Sequence, residues 1–342
     1  MNLKNLQETI TSHNDPEPFS GVVHISKGDE VLFAEGFGYA QRAEEILNRP
    51  DTRFQMASGC KIFTAVAALK LIEQGKLSLA TKLFDHLEPD VLPGFSRDVT
   101  VEHLLTHSSG ITSYFEEDVN PDYEDLWQDT PVYKVRRPAD FLQKFTNPTQ
   151  KFTPGEKFEY NDGGFILLGL LCEIASGKVF PDLVQELVFD PAGMIDSGYF
   201  ATDQLPKGSA YAYIHNEDGS WRTNFFAVPI IGAPDGGAYT TGPDMARFWK
   251  ALFSHQLLSP ALTAEMLKPK ITTGWDAPYT HYGYGVWLYN DNGKPLMTYI
   301  EGEDPGVALR SAYLHEKDIT LTLLGNTMDS LWGMIAKVEG EL

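Results

Sequence analysis

The sequence predicts an α+β protein in which one antiparallel sheet, built from both ends of the chain and flanked by helices, is interrupted by a mainly helical lobe. Strand patterns occur near the N-terminus and return from Gly283 onward, whereas residues 77–230 show helical periodicity between long loops. We therefore assign residues 1–57 and 231–342 to an α/β lobe containing the sheet, and residues 58–230 to the helical lobe. An active site is expected at the junction of the two lobes.

The N-terminal segment supplies the first part of this sheet. Residues 3–13 form a pattern typical of a short amphipathic helix. Two apolar runs, at residues 21–26 and 31–37, predict strands joined by a tight turn at residues 27–30. A hairpin makes these two strands antiparallel. Residues 40–53 are polar and are expected to be irregular.

A helix is predicted next, from Ser58 to Gly75. Nearly every residue between positions 62 and 72 is apolar or alanine, which indicates a helix buried on most sides. Gly75 suits the left-handed position that ends a helix. Ser58 lies at the N-terminal end, where backbone N–H groups are free and the helix dipole is positive. Lys61 follows one turn later on the same face.

This Ser-x-x-Lys spacing suits nucleophilic catalysis. A serine hydroxyl is a poor nucleophile until a nearby base takes its proton. A lysine serves as that base only when it is partly neutral, and burial together with a positive helix end lowers a lysine pKa. We expect both conditions at Lys61. The alternative is that Ser58 is only a helix N-cap, a position that serine favours.

The middle of the chain predicts helices and one aromatic loop. Residues 99–111 indicate a short capped helix with a stop at Gly110, and residues 165–175 indicate an apolar helix closed by Gly177. Residues 114–136 are acidic, aromatic and irregular, so they either wall a cleft or cover a core.

The C-terminal part returns to strands. Runs at residues 283–289, 296–300, 307–314 and 319–326 predict consecutive strands, some joined by Asn-Gly or Asp-containing turns. Residues 331–338 predict a closing helix.

Composition limits the classes of partner. The 342 residues carry a formal net charge of -20, which makes nucleic acid and anionic membranes unfavourable partners. The two cysteines, Cys60 and Cys172, are too few for a disulfide framework and are expected to be buried thiols. The N-terminus has no apolar signal-peptide region, and no 18-residue apolar stretch occurs. We expect a soluble, cytoplasmic protein.

Five ordered blocks of sequence carry a family resemblance. They are Phe54-x-Met-Ala-Ser-Gly-Cys-Lys with Phe63-Thr-Ala, Gln74-Gly-Lys-Leu-Ser-Leu, Val99-Thr-Val-Glu-His-Leu-Leu-Thr-His-Ser-Ser-Gly-Ile, Pro154-Gly with Phe158-Glu-Tyr-Asn-Asp-Gly-Gly-Phe, and Gly236-Gly-Ala-Tyr-Thr-Thr-Gly-Pro-Asp-Met-Ala. These blocks resemble the serine β-lactamase-like family, and the resemblance covers most of the chain, about residues 20–325. That family includes class C β-lactamases, D-alanyl-D-alanine carboxypeptidases, D-aminopeptidases and serine esterases. The resemblance implies a β-lactamase/transpeptidase-like fold.

The resemblance also implies the catalytic residues. Ser58 would be the acylated nucleophile, Lys61 would exchange protons with it, and Tyr160 of the Tyr-x-Asn motif would be a second proton shuttle. No metal or cofactor is implied. His103 and His107 stand four residues apart, a spacing that a metal could use, but they lie in a shared structural block, which favours hydrogen-bonding roles.

The sequence departs from the family pattern at two places. Asp162 stands where the motif usually has asparagine; it is either the N-cap of the next helix or a partner that holds Lys61 protonated and shifts proton removal toward Tyr160. The third motif, usually Lys-Thr-Gly or His-x-Gly, reads Ile300-Glu301-Gly302. The backbone N–H of the next residue, Glu303, is expected to form an oxyanion hole with that of Ser58.

These departures bear on the substrate. β-Lactams and D-Ala-D-Ala peptides carry a carboxylate, which Glu301, Glu303 and Asp304 would repel if they face the cleft. Arg310 is a possible compensating cation. We therefore predict a serine hydrolase that acts on a small or short-peptide ester or amide, neutral or amine-bearing, with weak β-lactam turnover. The alternative is a penicillin-binding or ligand-sensing protein that binds or acylates without turnover.

Overall fold

A computed structural model describes residues 3–14, 17–116, 119 and 122–342. The α-helices are α1 (Leu3–Thr11), α2 (Lys61–Glu73), α3 (Val101–Leu105), α4 (Asp162–Ser176), α5 (Phe180–Val184), α6 (Asp190–Ala192), α7 (Gly242–Phe253), α8 (Pro260–Met266) and α9 (Asp329–Glu341). The strands are β1 (Gly21–Lys27), β2 (Glu30–Phe37), β3 (Tyr39–Gln41), β4 (Ile46–Leu47), β5 (Phe54–Gln55), β6 (Tyr213–His215), β7 (Trp221–Thr223), β8 (Tyr239–Thr240), β9 (Ile271–Thr272), β10 (Thr280–Tyr282), β11 (Trp287–Asp291), β12 (Lys294–Asp304), β13 (Val307–Leu314) and β14 (Ile319–Gly325).

One antiparallel sheet joins the two ends of the chain, as the sequence predicts. Within the described residues it has eight strands in the order β2-β1-β14-β13-β12-β11-β10-β9. Strand β1 pairs with β14 from Gly21 opposite Gly325 to Ser26 opposite Thr320. Both strands are buried along almost their whole length, because helices cover the two faces of the sheet.

Two apolar layers hold the sheet between helices. On one face α1 and α9 contribute Leu6, Ile10 and Met334 to a core with Val23 and Leu323 of the sheet. The other face packs on a larger core that includes α2, α4 and α7. The buried α2 contacts α4 closely, which fixes the N-terminal end of α2 at the junction between sheet and helices.

The structure corrects several details of the predicted elements. Short strands β3 and β4 occupy the segment predicted to be irregular, and the β6–β7 hairpin lies within the part predicted to be helical. Helix α3 ends at Leu105, so Gly110 is not its stop. The predicted strand at 283–289 begins only at Trp287. Two- and three-residue strands are too short to produce a recognisable periodicity.

Other predictions are confirmed. Gly75 and Gly177 adopt left-handed φ values of 71° at the ends of α2 and α4. The 27–30 turn connects β1 and β2, and Asn292-Gly293 forms the tight turn between β11 and β12. Both cysteines are buried free thiols. Of the 114–136 loop, residues 117, 118, 120 and 121 lie outside the described residues.

Among the described residues, no single helix is long and apolar enough to cross a membrane. The segments Asp162–Ser176 and Phe180–Ala192 reach that length and composition only together, and a bend of 79° separates them.

Candidate active site

Ser58 is presented by a strained turn. It lies in a 3-10 turn, Ala57–Cys60, that leads directly into α2, so the regular helix begins later than the sequence predicts. Ala57 has a left-handed φ of 45°, which costs a residue with a Cβ on the order of 1 kcal/mol. A Cβ at Gly59 would lie 2.0 Å from Cδ2 of Leu309, so the turn packs tightly against the sheet. Ser58 itself stays partly exposed to the cleft.

Lys61 binds three groups at once. Its Nζ donates to Ser58 Oγ at 2.8 Å and to the backbone oxygen of Asp235 at 2.7 Å. It also forms an ion pair with Asp162 Oδ1 at 2.6 Å. An ammonium has three N–H donors, and these three partners use all of them. The Ser58–Lys61 contact predicted from spacing is therefore present.

The predicted lowering of the Lys61 pKa is wrong. Burial does lower the pKa of this ammonium, but the negative charges around it, Asp162 foremost, raise it more, and the pKa lies well above its usual value. Lys61 is therefore protonated at neutral pH. In that state it donates to the Ser58 hydroxyl and cannot accept its proton.

Tyr160 lies next to Lys61. The Lys61 Nζ is 5.0 Å from the centroid of the Tyr160 ring. Burial raises the pKa of Tyr160 to about 12, although the Lys61 ammonium lowers it. The phenol therefore keeps its proton at neutral pH, and the ammonium is the group that favours its ionised form.

Asp162 is free to reach Lys61 because its neighbour caps the helix. The Asn161 side chain accepts a hydrogen bond from Gly164 N at 2.7 Å and donates to the Ile111 backbone oxygen at 2.6 Å. Asn161, not Asp162, is the N-cap of α4. The carboxylate of Asp162, at the first position of α4, points to the ammonium instead.

The two histidines of the shared block have hydrogen-bonding contacts. His107 Nδ1 accepts from Asn161 N at 3.0 Å, its Nε2 contacts the Tyr282 hydroxyl at 3.2 Å, and burial lowers its pKa well below the usual value. His103 Nδ1 accepts from Thr100 N at 3.2 Å and caps α3. Among the described residues, no group of three or more histidine, cysteine, aspartate or glutamate side chains is placed to hold a metal ion.

Strand β12 brings Gly302 against the Ser58 turn. A Cβ at Gly302 would lie 2.2 Å from the Met56 backbone oxygen and 3.0 Å from Ser58 N, so only glycine allows this approach. The contact sets the strand beside the Ser58 amide. That the N–H of Glu303 shares an oxyanion with the N–H of Ser58 stays a prediction.

The three acidic residues of β12 border the cleft in different ways. Glu301 pairs with Arg310 at 2.7 Å across the β12–β13 ladder. That Arg310 compensates for the missing cation of the third motif stays a prediction. Glu303 accepts a hydrogen bond from Nε1 of Trp332 in α9. Within the described residues Asp304 forms no salt bridge, and it adjoins Gly236, whose Cβ would lie 3.6 Å from Asp304 Oδ2.

Asp235 and Asp304 form the acidic end of the cleft. Burial raises the pKa of Asp235 to about 7 and that of Asp304 to about 8, and the Asp235 carboxylate also raises the pKa of Asp304. The Tyr114 hydroxyl donates a hydrogen bond to Asp235 Oδ2 at 2.6 Å. Its oxygen lies 3.2 Å from the hydroxyl oxygen of Tyr123. Lys61 lowers the pKa of both acids, but its ammonium is already ion-paired with Asp162.

The cleft itself has a volume of about 710 Å³. Tyr114, Phe115 and Tyr123 of the aromatic loop line it, whereas Trp127 is buried in the core. The loop thus both walls a cleft and covers a core. Opposite the acidic end, Trp275 and Trp287 form part of the lining.

Sequence reasoning missed Asp235, Trp275 and Trp287 as site residues. Asp235 directly precedes the shared block that begins at Gly236, and this position next to a shared block could have identified it as a candidate site residue. The β9–β10 hairpin that carries Trp275 has strands too short to be recognised.

The raised pKa of Asp304 predicts a pH-dependent stability difference. Its pKa is about 8 in the folded protein against 3.8 for an ordinary aspartate. The stability that this group contributes is full below pH 4 and is lost as the pH rises to 8. The Asp304→Asn variant lacks this ionisable group, so it does not lose this stability as the pH rises. The free energy of unfolding of the variant minus that of wild type should therefore increase by on the order of 3 kcal/mol between pH 4 and pH 8.5.

Urea unfolding at both pH values measures this difference. Asp90→Asn, at an exposed position, is the matched control and should show no such trend. A difference between Asp304→Asn and wild type that stays constant with pH would contradict the prediction.

Comparison with known proteins places the chain in a family. A model of the Beta-lactamase family matches residues 8–337. Penicillin-binding protein 4* of Bacillus subtilis (strain 168) is 27% identical over 338 residues, 94% of this chain and 71% of that protein. Teichoic acid D-alanine hydrolase of Staphylococcus aureus is 25% identical over 312 residues, 90% of this chain and 70% of that protein. The crystal structure of a penicillin binding protein from Bacillus halodurans matches with a TM-score of 0.90 at 42% identity and covers 100% of both chains.

The chain therefore belongs to the Beta-lactamase family, and the predicted β-lactamase/transpeptidase-like fold is confirmed. It is a serine hydrolase of the β-lactamase-related type. The division into lobes at residues 57/58 and 230/231 and the roles of the individual site residues stay predictions.

Proposed function

We propose that this protein hydrolyses small esters or amides that carry an ammonium group close to the scissile carbonyl, through an acyl-enzyme on Ser58. One observation carries the proposal: the buried carboxyls of Asp235 and Asp304 lie together at one end of the catalytic cleft, and Lys61, the cation that lowers the pKa of both, is already ion-paired with Asp162. A buried acid pair of this kind is stabilised by a cation brought in by the substrate.

The position of these acids relative to Ser58 fits an α-ammonium. Gly302 packs on the Ser58 amide, and Asp304 lies two residues further along β12. At a strand rise of about 3.3 Å per residue, Asp304 lies about 7 Å along β12 from the expected position of the oxyanion. That distance accommodates a carbonyl, one intervening carbon and an ammonium with its hydrogen bonds.

The surroundings disfavour a substrate carboxylate. By the resemblance, Ile300 stands where the family usually has a lysine or histidine side chain. The nearby cation, Arg310, is ion-paired with Glu301. A carboxylate in the cleft would face Asp235, Asp304 and the border residue Glu303. This supports weak turnover of β-lactams, because Asp235 and Asp304 ionise with pKa values of about 7 and 8 and would then repel the substrate carboxylate.

The proton route follows from the charge state of Lys61. The reacting form has Tyr160 ionised, a state that the Lys61 ammonium stabilises. Ser58 Oγ attacks the carbonyl carbon, and its proton passes to the phenolate oxygen of Tyr160. Tyr160 then protonates the leaving oxygen or nitrogen as the carbonyl re-forms. The backbone N–H groups of Ser58 and Glu303 hold the oxyanion. Water repeats the sequence in reverse and releases the acyl group.

One relative supports an amine-bearing substrate. Its printed name, teichoic acid D-alanine hydrolase, describes removal of D-alanine, which has a free ammonium beside its carbonyl. We extend that chemistry to this chain as a proposal, since the identity is 25%.

Matched esters test the ammonium requirement. Alanine methyl ester and methyl lactate, each in D and L forms, differ by an ammonium against a hydroxyl of similar size. At pH 7.5 we expect kcat/KM to be at least about tenfold higher for the alanine ester of the preferred hand, the effect of one partly buried charge pair. Asp304→Asn should reduce this ratio, and Ser58→Ala should abolish turnover of both esters.

Equal rates for the two esters, or fast hydrolysis of a cephalosporin, would overturn the proposed substrate class. The sensing alternative is tested by intact mass in the same tubes after brief exposure to a penicillin or an activated ester. A Ser58-dependent adduct that persists without product would favour sensing over hydrolysis.

A further inference from the structure

Four aromatic rings line up beside the catalytic residues. Trp287 stacks on Trp275 with ring centroids 5.1 Å apart and an interplanar angle of 19°. It also lies nearly parallel to Tyr160 at 6.2 Å and 11°, and to Tyr299 at 6.3 Å and 17°. The stack therefore runs from the proton-transfer phenol outward along one wall of the cleft.

The outermost ring of this stack is exposed. Trp275 is 57% exposed, whereas Trp287 is 6% exposed, and both line the cleft. A single exposed aromatic side chain is ordinary on a protein surface, but this one extends a buried stack into a catalytic cleft.

Trp275 is held in place before any ligand binds. Phe158 contacts it edge-on at 6.1 Å, and the same ring contacts Trp287 at 5.8 Å. The backbone N of Trp275 donates to Thr273 Oγ1 at 3.2 Å, which anchors the loop between β9 and β10. A rigid indole offers a large contact area at a low cost in conformational entropy.

The stack and the acidic end lie on opposite sides of Ser58. Trp287 stands directly opposite Tyr299 in the β11–β12 register, three residues before Gly302. Asp304 lies two residues after Gly302. At about 3.3 Å per residue along β12, Tyr299 lies about 10 Å from Gly302 in one direction. Asp304 lies about 7 Å from Gly302 in the other direction.

We propose that Trp275 and Trp287 form an aromatic subsite that binds an apolar, ring-sized group of the substrate on the side of the scissile bond away from Asp304. This inference rests on the proposed function, because it extends the same substrate. The substrate class is then an ester or amide with an ammonium on one side of the scissile bond and a flat apolar group on the other. For an aminoacyl substrate, that apolar group belongs to the leaving alcohol or amine.

Two esters of alanine test the subsite. The benzyl ester places a ring on the leaving group, and the methyl ester does not. We expect wild type to prefer the benzyl ester in kcat/KM, and Trp275→Ala to reduce the benzyl-to-methyl ratio about five- to tenfold, the loss of one aromatic stacking contact. Trp275→Phe should restore most of the ratio. Phe226→Ala, which removes an exposed ring outside the cleft lining, should leave the ratio unchanged.

A binding measurement separates this inference from the proposed function. Ser58→Ala cannot be acylated, so calorimetry with the two esters reports binding alone. Tighter binding of the benzyl ester, lost when Trp275→Ala is added, supports the subsite even if wild type hydrolyses neither ester, a result that would overturn the proposed function instead. Equal binding of the two esters, or a preference that survives Trp275→Ala, overturns the subsite.

Discussion

Lys61→Met is expected to lower kcat/KM for ester hydrolysis on the order of 10³-fold. The variant keeps the length of the side chain but removes the ammonium that donates to Ser58 Oγ and lies over the Tyr160 ring. Without that charge the Tyr160 phenol holds its proton more tightly, and the Ser58 hydroxyl loses its hydrogen-bond donor. General acid–base groups contribute about 10²–10⁴ in rate, which sets the expected size.

Steady-state hydrolysis of an activated ester, with intact mass to follow acylation, measures this loss. Lys70→Met is the matched control, because Lys70 lies on the same helix and pairs with Glu73 away from the cleft. Thermal melting of both variants shows whether they stay folded. Activity of Lys61→Met within tenfold of wild type would remove Lys61 from the proposed proton route.

Asp162→Asn is expected to shift the pH dependence of kcat to lower pH by about one unit or more. Asp162 raises the pKa of both Lys61 and Tyr160. With Tyr160 as base and Lys61 as ammonium, kcat rises as the phenol loses its proton and falls as the ammonium does. Removing the carboxylate lowers both pKa values, so both limbs of the profile move in the same direction.

The amide substrate alanine 4-nitroanilide allows this measurement at high pH, where esters hydrolyse unaided. The parameter kcat reports groups in the enzyme–substrate complex, so titration of the free substrate amine does not interfere. Asp182→Asn, which removes one exposed charge on α5, is the control for net charge. A profile that coincides with wild type would show that Asp162 does not set the charge of Lys61 during turnover.

The sequence predicted the parts of the site that depend on local geometry. Ser58 and Lys61 are one turn apart, so their contact follows from spacing alone. The pairing of the two chain ends follows from where the strand patterns lie. The N-cap at Asn161 was assigned wrongly to Asp162 as one alternative, because both residue types favour that position.

The sequence left the charge state of Lys61 open between a lowered pKa and an ammonium held by Asp162. Asp162 and Asp235 approach it from segments about 100 and 170 residues further along the chain. Asp235 uses its backbone oxygen for this contact, so its side-chain identity carries no signal. Burial alone predicts a lowered lysine pKa, and the opposing charges become visible only once the fold brings these segments together.

The close approach of Gly302 to the Ser58 turn has a consequence for biosynthesis. About 240 residues separate the two positions. At roughly 5–20 residues per second, a ribosome makes β12 some 12 to 50 s after the nucleophile. During that interval β1, whose two faces are both buried in the folded protein, has no partner along the edge that later pairs with β14. The nascent chain therefore carries an exposed aggregation-prone strand until its last segment emerges, and a chaperone that shields the β1–β2 hairpin would act at this stage.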